Sequence, residues 1–208
     1  MKFKLLLPPL AILSLLFFLA PSARSQTVIT FDDIPSPPGG AFITNNYQGL
    51  SWSNFATLNA ILQTNLNGVS GYGYGMVSPS NVAFNADGYP AEIDSPGTNF
   101  NFLSAYFAGA WNSNLNIEIQ GFRGANLIYD ETVVASATNP TLFTFNYLDI
   151  DRLYFNSFGG QPAGLWSGAG EDFVMDNFTF EFIPEPSSLL LATFGALLLW
   201  PLLKRKRV

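Results

Sequence analysis

The sequence contains neither cysteine nor histidine, and these two absences exclude whole classes of chemistry. Without them there is no disulfide, no Ser-His-Asp or Cys-His catalysis and no imidazole ligand for zinc. Lysine occurs only near the two ends of the chain, so the central region has no Schiff-base lysine either. The fold must therefore be stabilised by its hydrophobic core, with a bound metal ion as a further source of stability.

Basic residues are almost as scarce between residues 26 and 183. That stretch holds 14 acidic residues but only Arg123 and Arg152, which gives it a formal charge of −12. The whole chain has a charge of −6, because its other cations lie near the ends. Such an acidic domain repels phosphate backbones, so we exclude nucleic acid as a partner, whereas divalent cations would be attracted.

The first 25 residues are typical of a secretory signal peptide. Lys2 and Lys4 precede an apolar stretch from Leu5 to Ala20, and Ala23-Arg24-Ser25 then predicts cleavage after Ser25. The length of the apolar stretch and the presence of Arg24 leave an uncleaved anchor as the alternative. In both cases the protein is exported, and the Sec translocon is its first predicted partner.

The last 25 residues combine three features in a fixed order. Pro184-Glu185-Pro186 interrupts regular structure, because prolines lack an amide donor and push the preceding residue toward extended conformations. An apolar helix is predicted from Leu189 to Leu203, followed by four cations, Lys204, Arg205, Lys206 and Arg207. Ser187 to Leu203 is 17 residues, the short end of the range that spans a bilayer, and the basic flank favours a transmembrane helix over a buried core helix.

This ending resembles the PEP-CTERM sorting signal of exported bacterial proteins. The motif corresponds to Pro184, Glu185 and Pro186, the helix to Leu189–Leu203, and the basic tail to Lys204–Arg207. The resemblance implies recognition by a membrane-embedded exosortase and anchoring in the inner membrane before processing. It also implies a final location at the cell surface or outside the cell.

Residues 26–183 predict a single domain built from short strands with turns between them. Leu115, Ile117 and Ile119 alternate with polar residues, the pattern of a half-buried strand. Regular short strands at intervals of about ten residues favour an all-β, antiparallel β-sandwich that is jelly-roll-like. Residues 57–64 fit a strand or a helix, while 65–75 and 159–170 are predicted to be glycine-rich loops.

The last predicted strand, Phe173 to Phe182, places Asp176 on the same face as Val174 and Phe178. A carboxylate buried among apolar side chains must be paired, and the domain has only two arginines. Calcium is the other solution, with Asp32 and Asp33 as further ligands if the first and last strands are neighbours. The alternative is that Asp32 and Asp33 cap a turn and that Asp176 hydrogen-bonds to a loop.

The opening strand with its two aspartates and the closing strand Phe173-Val174-Met175-Asp176-Asn177-Phe178-Thr179-Phe180 resemble calcium-bearing jelly-roll modules, which include many carbohydrate-binding domains. The resemblance implies a structural Ca²⁺ held by Asp32 or Asp33 together with Asp176.

Aromatic residues suggest a binding role, because their rings can stack on sugars. The candidates are Tyr72, Tyr74 and Trp166, which lie in the glycine-rich stretches, while simple loop packing is the alternative. Trp111 could also stack, whereas Trp52 is expected in the core.

We therefore expect a non-catalytic surface or matrix protein that binds polysaccharide or another surface polymer, with no catalytic residues. The alternative is a carboxylate-dependent glycoside hydrolase or lyase, for which Asp149 with Asp151 and Glu171 with Asp172 are candidate acid pairs.

Overall fold

A computed structural model describes residues 25–166 and 168–183 of the chain. Ser25–Ile183 forms one compact unit. The predicted signal peptide up to Arg24 and the predicted sorting signal from Pro184 onward lie outside the described residues. Within the described part, no helix is both long and apolar enough to cross a bilayer.

Two sheets of antiparallel strands pack face to face as a β-sandwich, which confirms the predicted all-β fold. The larger sheet has seven strands, β1 Thr27–Ile29, β2 Ala41–Phe42, β4 Phe55–Asn59, β5 Asn81–Asn85, β7 Phe100–Gly109, β11 Thr141–Ile150 and β14 Phe173–Phe182. The smaller sheet has five, β3 Ser51–Ser53, β6 Ala91–Asp94, β9 Leu115–Arg123, β10 Asn126–Ala135 and β12 Arg152–Phe158. A separate pair is formed by β8 Asn112–Ser113 and β13 Gln161–Pro162.

The first and last strands are neighbours in the larger sheet, which is the arrangement that the calcium prediction assumed. The order of this sheet is β11-β7-β14-β5-β4-β2, and β1 also pairs with β14. Thr27 to Ile29 lie opposite Phe178 to Phe180, while β5 pairs with the other half of β14 at Val174 and Met175. In the smaller sheet the order is β10-β9-β12-β6-β3.

The core between the sheets is rich in aromatic rings. Phe102 stacks on Phe145 and on Phe178, with centroid distances of 4.8 and 4.9 Å. Trp52 is buried there, as expected, and meets Phe55 edge-on at 5.4 Å. Each such pair contributes about 0.5–1.5 kcal/mol beyond the burial of its surface. These contacts take the place of the disulfides that the chain lacks.

Strand β9 has the predicted alternation. Leu115, Ile117 and Ile119 are fully buried in the core, whereas the polar residues between them are partly exposed. Its neighbour β10 starts three residues after β9 ends and pairs with it in the antiparallel sense, so the two strands form a hairpin.

Strand β14 departs from the alternation predicted for it. Met175 faces the core between the sheets, and Val174 faces away from it, but three residues further on Phe178 faces the core again. The phase changes because the register against β7 shifts after Asp176, where Asn177 has a positive φ of 51°. Such a β-bulge re-aims the side chains beside it. Asp176 therefore lies where the side-chain alternation of β14 changes phase, and it does not share a face of the sheet with Phe178.

Two helices lie in stretches that were predicted to be a loop or to be either a strand or a helix. Residues 57–64 divide at Asn59, which ends β4 and caps helix α1 (Ala60–Asn67) by accepting the Leu62 amide at 2.9 Å. Helix α2 (Gly71–Gly75) occupies part of the stretch that was predicted to be a loop, so that prediction is wrong there. Glycine allows the helix to approach the sheet, because a Cβ on Gly71 would lie 1.8 Å from the Gly109 carbonyl oxygen.

Candidate ligand-binding cleft

The outer face of the larger sheet carries a second apolar layer, separate from the core between the sheets. Its buried members come from β4, β5, β7, β14, both helices and the residue after β7, and they are Leu58, Ala60, Tyr72, Val82, Ala108, Ala110 and Val174. Next to this layer the surface opens into a cleft of about 440 Å³. That volume is within the usual range for small-ligand sites.

Aromatic side chains line the cleft, and they differ in accessibility. Trp166 is 49% exposed and Phe42 is 67% exposed. Trp111 packs against Trp166, with ring centroids 6.0 Å apart and planes inclined by 34°. Tyr72 is buried and meets Trp111 and Phe84 edge-on, at 5.5 and 5.2 Å. Trp166 and Phe42 are thus free to contact a ligand, while Tyr72 holds Trp111 in place behind the accessible surface.

Two carboxylates line the same cleft. Asp87 is exposed, and it follows β5 in a short 3₁₀ turn, Ala86–Gly88. Asp172 immediately precedes β14 and is partly buried. Burial raises the pKa of the Asp172 carboxyl, and the negative charge of Asp87 raises it further, while hydrogen bonds from backbone amides and Trp111 oppose the shift. Asp87 is therefore close enough for its charge to disfavour ionisation of Asp172.

Gln63 of helix α1 adds an amide to the cleft. Its side chain is only 3% exposed, and its Oε1 accepts the Ser70 hydroxyl at 3.2 Å. Its Nε2 has no hydrogen-bond partner among the described residues. This nitrogen is not among the fully buried atoms without a partner, so it keeps access to the cleft and can donate a hydrogen bond to a polar ligand there.

The cleft contains two of the three residues predicted to bind a ligand. Tyr72 and Trp166 lie far apart in the sequence, yet both line it. Tyr74 does not, because it lies in a separate, smaller depression of about 250 Å³ with Ile61 and Val69. Trp111, which was also considered for stacking, belongs to the cleft.

Three other residues that line the cleft were not singled out from the sequence: Phe42, Gln63 and Asp87. Each lies on a different segment, and no motif connects them. Their proximity follows from the pairing of β2 with β4 and of β4 with β5, which a single sequence does not display.

Asp176 lies outside the cleft and is held by a full set of donors. Its Oδ2 accepts the amides of Val77 and Ser78 at 2.7 and 2.8 Å, and its Oδ1 accepts the Ser78 hydroxyl at 3.0 Å and the Asn177 amide at 2.7 Å. A carboxylate has about four lone-pair positions, so a cation would have to displace one of these donors. Burial raises the pKa of the Asp176 carboxyl to about 6, although the hydrogen bonds oppose the shift.

Asp32 and Asp33, in the turn after β1, accept hydrogen bonds from residues distant in the sequence. Asp32 Oδ1 accepts the Asn81 amide at 2.9 Å, and Asp33 Oδ1 accepts the Tyr47 hydroxyl at 2.6 Å. In the described part of the chain, no group of three or more acidic residues is arranged to hold a metal ion. Asp176 thus hydrogen-bonds to a loop, as in the alternative, whereas the bonds to Asp32 and Asp33 come from Asn81 and Tyr47, 49 and 14 positions away. Calcium binding stays a prediction.

The acid pairs considered for catalysis mostly hold loops together. Asp149 forms an ion pair with Arg123 at 2.7 Å, and Asp151 accepts the Gly124 amide at 2.6 Å. Glu171 accepts the Gly159 amide at 2.6 Å. Among these four acids, which all belong to the described part of the chain, Asp172 is the one that lines the cleft.

No family model and no curated protein matches the sequence. Among solved structures, the chain is similar to a DUF4465 family protein from Bacteroides caccae, with 13% identity over 80% of this chain and 96% of the other and a TM-score of 0.44. It is also similar to the K2 cleaved adhesin domain of Lys-gingipain, with 10% identity over 77% of this chain and all of the other, at a TM-score of 0.45. A family 32 carbohydrate-binding module from C. perfringens NanJ, in complex with galactose, has 10% identity over 76% of this chain and all of the other, at a TM-score of 0.35. Likenesses this distant leave the ligand of the present cleft open.

Proposed function

We propose that this protein is an exported bacterial surface or matrix protein whose jelly-roll-like domain binds polysaccharide in the cleft beside Trp166 and does not cleave it. The observation that supports this most directly is the pairing of exposed aromatic rings, Trp166 and Phe42, with buried or oriented polar groups in one cleft. Sugar rings have an apolar face that stacks on aromatic rings and hydroxyls at their edges that need hydrogen bonds.

Replacing Trp166 with alanine should weaken polysaccharide binding by about 10- to 100-fold, because it removes the accessible stacking surface. Retardation of the full-length chain in neutral detergent would be measured in native gels containing soluble glucans, galactans, mannans or xylans. Tyr89→Ala is the matched control, since Tyr89 is 66% exposed but does not line the cleft. Equal retardation of both variants, or no retardation of the natural protein by any polymer, would contradict the proposal.

Carboxylate-dependent glycoside hydrolysis is the second candidate, and the presence of Asp87 and Asp172 in one cleft favours it. A general acid needs a raised pKa, which Asp172 has. New reducing ends, measured in the same polysaccharide samples, separate the two functions. Formation of reducing ends by the natural protein but not by Asp172→Asn would establish a hydrolase. Binding of the polysaccharide without new reducing ends would establish a binding protein.

Delivery to the surface is proposed from the two ends of the chain. Pro184-Glu185-Pro186, the apolar run and the basic tail support processing by exosortase, and Lys2 to Ser25 support export through the Sec translocon. In a host that has an exosortase, we expect Glu185→Ala to accumulate in the inner membrane as the unprocessed form, as judged by its size and cell fraction. Normal processing of that variant would refute the role of the motif.

A further inference from the structure

The charges around the cleft are all of one sign. Asp87 and Asp172 line it, and no arginine or lysine among residues 25–166 and 168–183 does so. The two arginines of the domain are engaged elsewhere. Arg123 pairs with Asp149 at 2.7 Å, and Arg152 lies 4.1 Å over the ring of Phe122. The negative charge in the cleft is therefore uncompensated by the described part of the protein.

Asp172 is partly buried in the cleft, and burial raises the pKa of its carboxyl, while the nearby Gly88 amide and Trp111 indole favour its charged form. Gln63, only 3% exposed, adds an independent donor, because its Nε2 has no partner among the described residues and can hydrogen-bond to a polar ligand in the cleft. Together these groups offer two negatively charged hydrogen-bond acceptors, one hydrogen-bond donor and the ring faces of Trp111 and Trp166. A ligand that satisfies all of them carries a positive charge beside an apolar ring face and at least one hydroxyl oxygen.

We propose that the cleft selects glycans with free amino groups, such as de-N-acetylated amino sugars, over neutral, N-acetylated or uronic-acid glycans. This inference rests on the proposed glycan-binding function and names the class of ligand. An ammonium group gains charge-assisted hydrogen bonds to Asp87 and Asp172 and attraction to the indole faces. An acetylated nitrogen has no such charge, and a uronate is repelled by both carboxylates and by the net charge of the domain.

Isothermal titration of the full-length chain in neutral detergent and EDTA tests the inference. The probes are three oligosaccharides of equal length and linkage, built from glucosamine, N-acetylglucosamine and glucose, at a pH where the amine is protonated. We expect the glucosamine oligomer to bind about tenfold more tightly than the other two, with the preference shrinking as salt is added. In Asp172→Asn, and in Asp87→Asn as a second variant at an exposed position, that preference should largely disappear.

Asp130→Asn is the matched control, because it removes one exposed charge from β10 in the smaller sheet. It should keep the preference. If the three oligomers bind equally and Trp166→Ala abolishes their binding, the selectivity is refuted while the glycan-binding function stands. If Asp130→Asn reduces the preference as much as Asp172→Asn, the attraction is due to overall charge and the assignment to the cleft is wrong. If no oligomer or polysaccharide binds, both proposals fail.

Discussion

Gly71→Ala is expected to lower the free energy of unfolding by about 3 kcal/mol, although alanine is the better helix former by about 1 kcal/mol. The reason is steric. The new Cβ would lie 1.8 Å from the Gly109 carbonyl oxygen and 2.8 Å from the Ala110 backbone, so helix α2 would have to move off the sheet. That movement would also break the 2.8 Å hydrogen bond from the Gly71 amide to the Ala110 carbonyl.

Urea unfolding of the full-length chain, followed by tryptophan fluorescence, measures this change. Gly39→Ala is the control, since a Cβ there meets nothing within 4 Å and its stability should change by no more than about 0.5 kcal/mol. Helix α2 also carries Tyr72, which supports Trp111, so Gly71→Ala should weaken glycan binding as well. A Gly71→Ala protein as stable as the natural one would show that helix α2 does not rest on the sheet in this way.

The pH dependence of stability should identify Asp176 as a buried acid whose protonated form is favoured by folding. Its pKa is about 6 in the folded protein, above the ordinary value of 3.8. The folded state therefore binds the proton more tightly than the unfolded state does. The contribution of protonated Asp176 to the free energy of unfolding is present below about pH 4 and is lost as the pH rises through 6. Relative to Asp176→Asn, which cannot titrate there, the natural protein should lose roughly 3 kcal/mol between pH 4 and pH 7.

Stability of the two proteins would be compared by urea unfolding at each pH, in EDTA and again in millimolar Ca²⁺. Because four donors already occupy the Asp176 carboxylate, calcium would have to displace one of them, and curves that do not depend on calcium would show that it does not. A calcium-dependent rise in stability that Asp176→Asn lacks would establish the predicted metal site instead. A natural protein that gains stability relative to the variant as the pH rises would mean that the hydrogen bonds outweigh the cost of burial.

Structural elements that follow from a repeating sequence pattern were predicted correctly. The alternation of Leu115, Ile117 and Ile119 gave a strand, because one face of β9 packs against the core and the other does not. The phase change in β14 was missed, because a β-bulge depends on the register against β7 and leaves only a single Asn177 as its signal. The burial of Asp176 was anticipated, but its donors come from Val77 and Ser78, about 100 positions away.

The glycines in residues 65–75 led to the prediction of a loop where part of the stretch forms a helix. Its usual meaning is a flexible turn, whereas Gly71 and Gly75 allow a short helix to pack closely on β7 and β14. The spacing Gly-Tyr-Gly-Tyr-Gly was the available signal, since a small residue at both ends of one turn allows close packing. The cleft was predicted only in part, because Tyr72 and Trp166 stand out by residue type whereas Gln63 becomes informative only once its burial is known.

Nuclear magnetic resonance of the indole N–H groups tests the central claim, that glycan binds in the cleft between Trp166 and Phe42, most directly. The chain has four tryptophans, which can be assigned by single replacement with phenylalanine. Titration of the full-length protein with a glycan that it retains in gels should shift the signals of Trp166 and Trp111. The signal of Trp52, buried between the sheets, should stay in place. Saturation of binding with Trp166 and Trp111 unshifted would place the ligand elsewhere and contradict the account.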